Sequence, residues 1–305
     1  MKLGILTAPF ADQTLDEVAG WASAAGFSAI EIAVWPRSGG TERRYAGTSH
    51  IDVANLTAPE ADRIAGDLEA RGLTISSLAY YPNPLDPDPA VAGAAIDHLK
   101  AVIRAAKLLR VPTVGTFAGR DRTRDVEQNF EAFARVWPDI VHYAGDNGVN
   151  IAIENCPMIF SNDEWPGGNN LAYSPAHWRR MFEIIPDANF GLNFDPSHLV
   201  WQMIDIPRAI REFAPRILHT HAKDLEIRRD GLYEQGVMSA GMGWQVPRLC
   251  GLGEVDWGQF FGALYAAGYD NVVSIEHEDR MFEGSPEKVK RGFELARDTL
   301  KPFIH

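Results

Sequence analysis

The chain has 305 residues, 46% of them hydrophobic, with a formal charge of −12 and a pI near 5.2. That acidity argues against a nucleic-acid partner, because holding a phosphate backbone requires clustered Lys and Arg. Cys156 and Cys250 fit neither a disulfide framework nor a CxxC zinc site, no apolar run approaches the roughly 18 residues of a membrane span, and the chain opens on a strand-like segment rather than a signal peptide, so a cytoplasmic protein is expected.

Strand-like and helix-like segments alternate from the start. Lys2 to Thr7 reads as a strand, and Thr14 to Ala25 as a helix with Thr14 and Glu17 at capping-box spacing and Gly26 at its end. Ala29 to Val34 is the second strand. After a polar loop, Pro59 to Arg71 is helical and stops at Gly72, and Leu73 to Tyr80 is the third strand. A Pro-rich bend leads into a long helix through Leu109, with Ile96, Leu99, Val102, Ile103 and Ala106 at helical spacing. Val111 to Phe117 is a strand, and Val126 to Asn147 a helix that Pro138 would kink. Val149 to Asn155, Phe190 to Asp195, Ile217 to His221 and Val272 to Glu276 continue the strands. The segments Ser174 to Ile185, Ile206 to Phe213, Asp256 to Ala267 and Pro286 to Leu300 supply the helices. Eight strands alternating with helices imply parallel pairing through right-handed crossovers and closure into a (β/α)8 TIM barrel, a single domain over residues 1–305. Two long loops, 35–57 and 225–253, both follow strands and so lie on the face where such barrels keep their active sites. The second is read equally well as a substrate lid or pocket wall and as a surface elaboration or subunit contact.

The last four strands each end in a residue able to bind a metal: Glu154, Asp195, His221 and Glu276. Residues two apart share a strand face, so Asn193 points with Asp195, and His219 with His221 and Lys223. If those faces look inward, three carboxylates and an imidazole meet at the barrel mouth. Taken singly, each is more often a hydrogen-bonded strand end; four at equivalent positions point to a site. The donor set suits a divalent ion of intermediate hardness, Mn²⁺ first, with Mg²⁺, Co²⁺ or Zn²⁺ as alternatives. Such an ion polarises a carbonyl, while Glu154 and Glu276 are placed to remove and return a proton alpha to it, which is isomerase or epimerase chemistry. His198 is assigned to catalysis and substrate contact. Lys223 and Arg228 are candidates for anionic or hydroxyl groups, and Glu31 is read as structural. The aromatics Trp35, Tyr80, Tyr81, Phe117, Trp165 and Trp201 suggest a roomy, partly apolar carbohydrate pocket.

The runs Ile153-Glu154-Asn155-Cys156-Pro157, Asn193 to His198, His219 to Asp224, Gly251 to Trp257 and Ser274 to Glu278 resemble the sugar phosphate isomerase/epimerase family with the xylose isomerase-like barrel, over nearly the whole chain. That resemblance implies that Glu154, Asp195, His221 and Glu276 hold the metal, that Glu154 and Glu276 double as the proton-transfer pair, and that His198 contacts substrate. The Asp195 to Gln202 run resembles the branch acting on 3-oxo-glycosides, the catalytic subunits of C-glycoside deglycosidases, where proton abstraction ends in β-elimination. A lyase of that kind, or one carrying out an inosose-type dehydration, is therefore the alternative to an isomerase. An AP endonuclease ranks lower, because the third and fourth strands end without the extra histidines of that branch. A non-catalytic sugar-binding subunit ranks lower too. A homo-oligomer and a hetero-oligomer with a small second subunit both stay open, and no membrane partner is expected.

Overall fold

The computed structural model describes residues 1–36, 46–159, 168–239 and 243–304; Trp165 lies outside the described residues. Its elements run β1 (Lys2–Leu6), α1 (Leu15–Ala24), β2 (Ala29–Ala33), α2 (Ala58–Ala70), β3 (Thr74–Ala79), α3 (Pro89–Leu109), β4 (Thr113–Thr116) and α4 (Val126–Asp146). They continue with β5 (Asn150–Glu154), α5 (Pro175–Ile184), β6 (Phe190–Phe194), α6 (Ser197–Val200), α7 (Ile206–Phe213) and β7 (Ile217–Ala222). Then come β8 (Asp224–Ile227), α8 (Arg229–Gln235), β9 (Gln245–Arg248), α9 (Trp257–Ala266), β10 (Val272–Ile275) and α10 (Pro286–Leu300). β1 to β7 pair in parallel in chain order, and β10 bridges β7 and β1, so the sheet closes into an eight-stranded barrel. Closure leaves no open strand edge.

The helices begin where the sequence places their caps. Thr14 and Glu17 form a reciprocal capping box on α1, Asp125 and Gln128 one on α4, and proline opens α2, α3, α5, α7 and α10. Gly26 and Gly72 follow α1 and α2 at φ +83° and +74°, a left-handed stop that a side chain would strain. α4 continues through Pro138 as one helix.

β6 shows how the strands divide their two faces. Phe190 and Phe194 point outward, Phe190 against Phe133, Trp137 and Phe182, and Phe194 against Trp178 and Phe260. Each such ring, fully buried, contributes roughly 1.5–3 kcal/mol. Asn193, between them, points inward to Tyr81 and the histidines of β7. The barrel interior is therefore polar where most barrels of this kind are filled by branched apolar side chains.

The 225–253 segment is more ordered than a loop. β8 and β9 pair antiparallel, Asp224 opposite Arg248 through Ile227 opposite Gln245, with α8 between them. Asp224, fully buried, anchors this insertion: its carboxylate accepts from the backbone of Leu225, Gly251 and Val255 at 2.8–2.9 Å and from Trp257 Nε1 at 3.1 Å. Gln245 to Arg248 face the barrel mouth, so the segment forms a wall of the cavity there.

Candidate functional site

Inside the barrel, inward side chains from β2, β3, β6 and β7 build one hydrogen-bonded layer. Ser76 Oγ donates to His219 Nε2 at 3.2 Å, and His219 Nδ1 donates to Asn193 Oδ1 at 3.0 Å. Asn193 Nδ2 donates to the Tyr81 hydroxyl at 2.9 Å, and that hydroxyl donates to Glu31 Oε1 at 3.0 Å. Glu31 Oε2 accepts from His221 Nε2 at 2.9 Å. Gly115 on β4 makes room for this chain, since a Cβ there would lie 2.5 Å from the Tyr81 oxygen. Burial drives the His219 pKa down to about 4, which leaves the ring neutral with one accepting nitrogen, as the layer requires. Burial would raise Glu31, but the charge on His221 outweighs it and holds the carboxyl at about 2.

Directly above, Glu154, Asp195, His221 and Glu276 offer donor atoms that all lie within 4.8 Å of one another. The local backbone aims them. Asn155 brackets Asp195, accepting from its N–H at 2.7 Å and donating to its carbonyl at 2.9 Å. Asp195 Oδ1 then accepts from Ser197 N at 2.8 Å, so Oδ2 faces the cluster. Asn170 donates to the carbonyls of Glu154 and Cys156 at 2.9 and 2.7 Å, pinning the end of β5. Because Nε2 of His221 is committed to Glu31, its Nδ1 is the nitrogen presented upward, 3.3 Å from Glu276 and 3.7 Å from Glu154.

The other residues singled out in the sequence fall around a cavity of about 620 Å³ over this cluster. His198, on α6, places Nε2 3.3 Å from Asp195 and 3.5 Å from Glu154. Trp35, Phe117, Trp201 and Arg228 line the cavity, as do Tyr81 and Met158. Lys223 reaches into the cluster itself, with Nζ 2.6 Å from Glu276, 3.1 Å from Glu278 and 3.2 Å from Asp195. Tyr80 is the correction: expected at the substrate, it does not line the cavity. Its ring meets His98 of α3 edge-on at 4.6 Å while Tyr81 lines the cavity; the register shift opposite Ser76, between Ile30 and Glu31, breaks simple alternation along β3, so Ser76 and Tyr81 both face inward.

A family profile described as xylose isomerase-like TIM barrel matches residues 19–299. The chain belongs to that family. YfiH of Bacillus subtilis, an uncharacterized protein, is 26% identical over 100% of this chain and 99% of its own length. A D-psicose 3-epimerase of Clostridium cellulolyticum H10, solved with D-tagatose, superposes at a TM-score of 0.71 with 16% identity, covering 100% of both chains. A probable 3-DHS dehydratase of Bacillus anthracis, AsbF, superposes at 0.70 with 17% identity over 98% of this chain and 99% of that one. These xylose isomerase-like neighbours are enzymes that share the fold. No helix among the described residues is long and apolar enough to cross a membrane.

Whether a cation suits this member of the family can be tested on its polar atoms. Glu154 Oε1, Asp195 Oδ2, His198 Nε2 and His221 Nδ1 are buried and, among the described residues, make no hydrogen bond. Buried polar atoms are nearly always hydrogen-bonded, so several that meet only charged neighbours at 3.2–3.7 Å and converge on one point mark a place for a ligand. Glu31, His219 and His221 also lie close enough together to hold an ion, but their donor atoms are spent on one another and on Asn193, Tyr81 and Ser76. The upper set fits a divalent cation and the lower set orients it. Electrostatics agree. Although burial lowers it, the His221 pKa is raised well above the usual value by Glu31 and Glu276, and Lys223 is likewise raised by Glu276, Glu278 and Asp195. Burial raises Glu276, whereas Glu154 and Asp195 are held low despite burial, Glu154 by His198 and His221 and Asp195 by Lys223 and His198. The carboxylates favour positive charge on His198, His221 and Lys223 around the cluster.

Proposed function

We propose that this chain is a divalent-metal-dependent isomerase or epimerase that abstracts a proton alpha to the carbonyl of a keto-sugar or related polyol. The observation that supports it is the meeting of Glu154, Asp195, His221 and Glu276 at the floor of a cavity of sugar size, with Glu154 Oε1, Asp195 Oδ2 and His221 Nδ1 making no hydrogen bond among the described residues. These four residues would hold the ion, Mn²⁺ first on the hardness of three carboxylates and one imidazole. When bound, the cation supplies a Lewis acid that polarises the substrate carbonyl.

The protein's own groups do the rest. Glu154 and Glu276 enter from β5 and the end of β10, so one takes the proton from carbon and the other returns one. His198, above Asp195, donates to a substrate oxygen. Trp35, Phe117 and Trp201 cover the apolar face of the sugar ring and shield the exchanging proton from water. Epimerases and a dehydratase share this fold, and this reading places the chain with the former.

A second reading is a lyase that uses the same abstraction and ends in β-elimination from a 3-oxo-glycoside or in dehydration. The width and aromatic lining of the cavity favour it, because an aglycone needs more room than a free ketose. Incubating the protein with Mn²⁺ and a panel of ketoses and 3-oxo-glycosides in D₂O separates the two. Deuterium in an epimeric or isomeric product supports the first reading. Release of an aglycone or of water supports the second, and no turnover or exchange on any member of the panel contradicts both.

A further inference from the structure

Beside the four-residue cluster, on the cavity side of Glu154, stands a different set of donors. Cys156 follows Glu154 by two residues, its carbonyl pinned by Asn170, and its thiol lines the cavity. Its Sγ, a ring nitrogen of His198 and a Glu154 oxygen all lie within 4.8 Å of one another. Met158 adds a second sulfur, Sδ 3.4 Å from the Cys156 thiol. Two members of this set are buried, Glu154 2% exposed and His198 9% exposed, and Glu154 Oε1 and His198 Nε2 face each other at 3.5 Å with no hydrogen bond among the described residues. Cys250 takes no part, being fully buried with its thiol donating to the Ala222 carbonyl at 3.2 Å.

We propose that Glu154, Cys156 and His198 form a second cation site at the mouth, with Met158 alongside, and that its ligand is zinc. A thiolate, an imidazole and a carboxylate with one position left open to the cavity match the donor set of an open zinc site, whose tetrahedral donors stand roughly 3.5 Å apart. Sulfur selects against Mg²⁺ and Mn²⁺, which the oxygen-rich cluster next door prefers. Charge permits both ions, because Glu154, Asp195, Glu276 and Glu278 surround a single ammonium, that of Lys223. On binding, the Cys156 thiol gives its proton to solvent and its sulfur lone pair to zinc, with no change of oxidation state. A filled second site ties down His198 and shares Glu154, so zinc inhibits the chemistry proposed above. That inhibition, unlike the binding, rests on the functional reading.

Cobalt(II), which reports sulfur ligation by a thiolate-to-metal charge-transfer band, makes the site visible in chelator-stripped protein. The expected titration has two equivalents, one carrying the band, and the first equivalent of zinc removes the band. Cys156→Ala, with Cys156→Ser as a second variant should the first fold poorly, removes the band and that equivalent only. Asp195→Asn weakens the other equivalent and leaves the band. In protein already loaded with Mn²⁺, added zinc abolishes turnover of the wild type but not the remaining turnover of Cys156→Ala. No thiolate band, a band that survives both Cys156 variants, or a single equivalent that carries it overturns the second site. A Cys156-dependent band accompanied by an Asp195→Asn variant that binds normally supports the second site and counts against the four-residue one.

Discussion

The two ring nitrogens of His221 belong to two unlike regions. Nε2 sits in the lower layer, where Glu31, Tyr81, Asn193, His219 and Ser76 satisfy one another in a continuous chain. Nδ1 faces the upper layer, where Glu154, Asp195 and His198 hold buried atoms with no hydrogen bond among the described residues. Both regions are largely buried, although the upper one lines the cavity, so burial alone does not account for the difference. What differs is whether the protein completes its own polar groups, and where it does not, something else is meant to.

The two layers should respond differently to substitution. Glu154→Gln, in the upper layer, is expected to lower turnover by at least ~10²–10⁴-fold, the usual contribution of a positioned acid or base. Its thermal midpoint in chelator should change far less than its turnover, because the isosteric amide keeps the side chain's volume and an accepting oxygen beside His198; steady-state kinetics and a melt on the same sample check both halves. Asn193→Leu, in the lower layer, should do the reverse and destabilise by about 3 kcal/mol or more in urea, with or without metal, since His219 and Tyr81 lose a buried partner. Asp195→Asn should abolish the stabilisation that Mn²⁺ gives the wild type, about 2.7 kcal/mol at a hundred times Kd, in a thermal-shift series. A normal shift would place the ion elsewhere.

Glu31→Gln tests the link between the layers. It touches no expected donor atom but frees the His221 tautomer, so Mn²⁺ affinity by calorimetry should fall ~10–100-fold. The smallest effect is that of pH. The His221 pKa is raised, and a proton and a cation compete for Nδ1, so apparent metal affinity should fall as pH drops through that raised value. Excess Mn²⁺ should restore activity on the acid side; a profile indifferent to metal concentration would break the connection.

Much of the barrel could be read in the sequence because its signals are local. Thr14 with Glu17 and Gly26 bound a helix within a dozen residues, and period-two alternation along Asn193-Phe194-Asp195 assigns each face of a strand. The convergence of Glu154, Asp195, His221 and Glu276 followed from one rule, that equivalent strand ends meet at one rim. Other features depend on partners far away in the chain. Glu31 looked merely structural because its bonds to Tyr81 and His221 span 50 and 190 residues. Tyr80 and Tyr81 were named together for the pocket because β3 ends at Ala79 and nothing local says which of two adjacent tyrosines turns inward. β8 and β9 escaped notice because each has four residues and β9 contains Pro247, which weakens a strand signal that pairing across a long insertion restores.

The most direct test of the central claim is anomalous diffraction from a crystal grown with Mn²⁺. The expected result is one strong peak in coordination contact with Glu154, Asp195, His221 Nδ1 and Glu276. No peak at the barrel mouth, or a peak held by other residues, would contradict it.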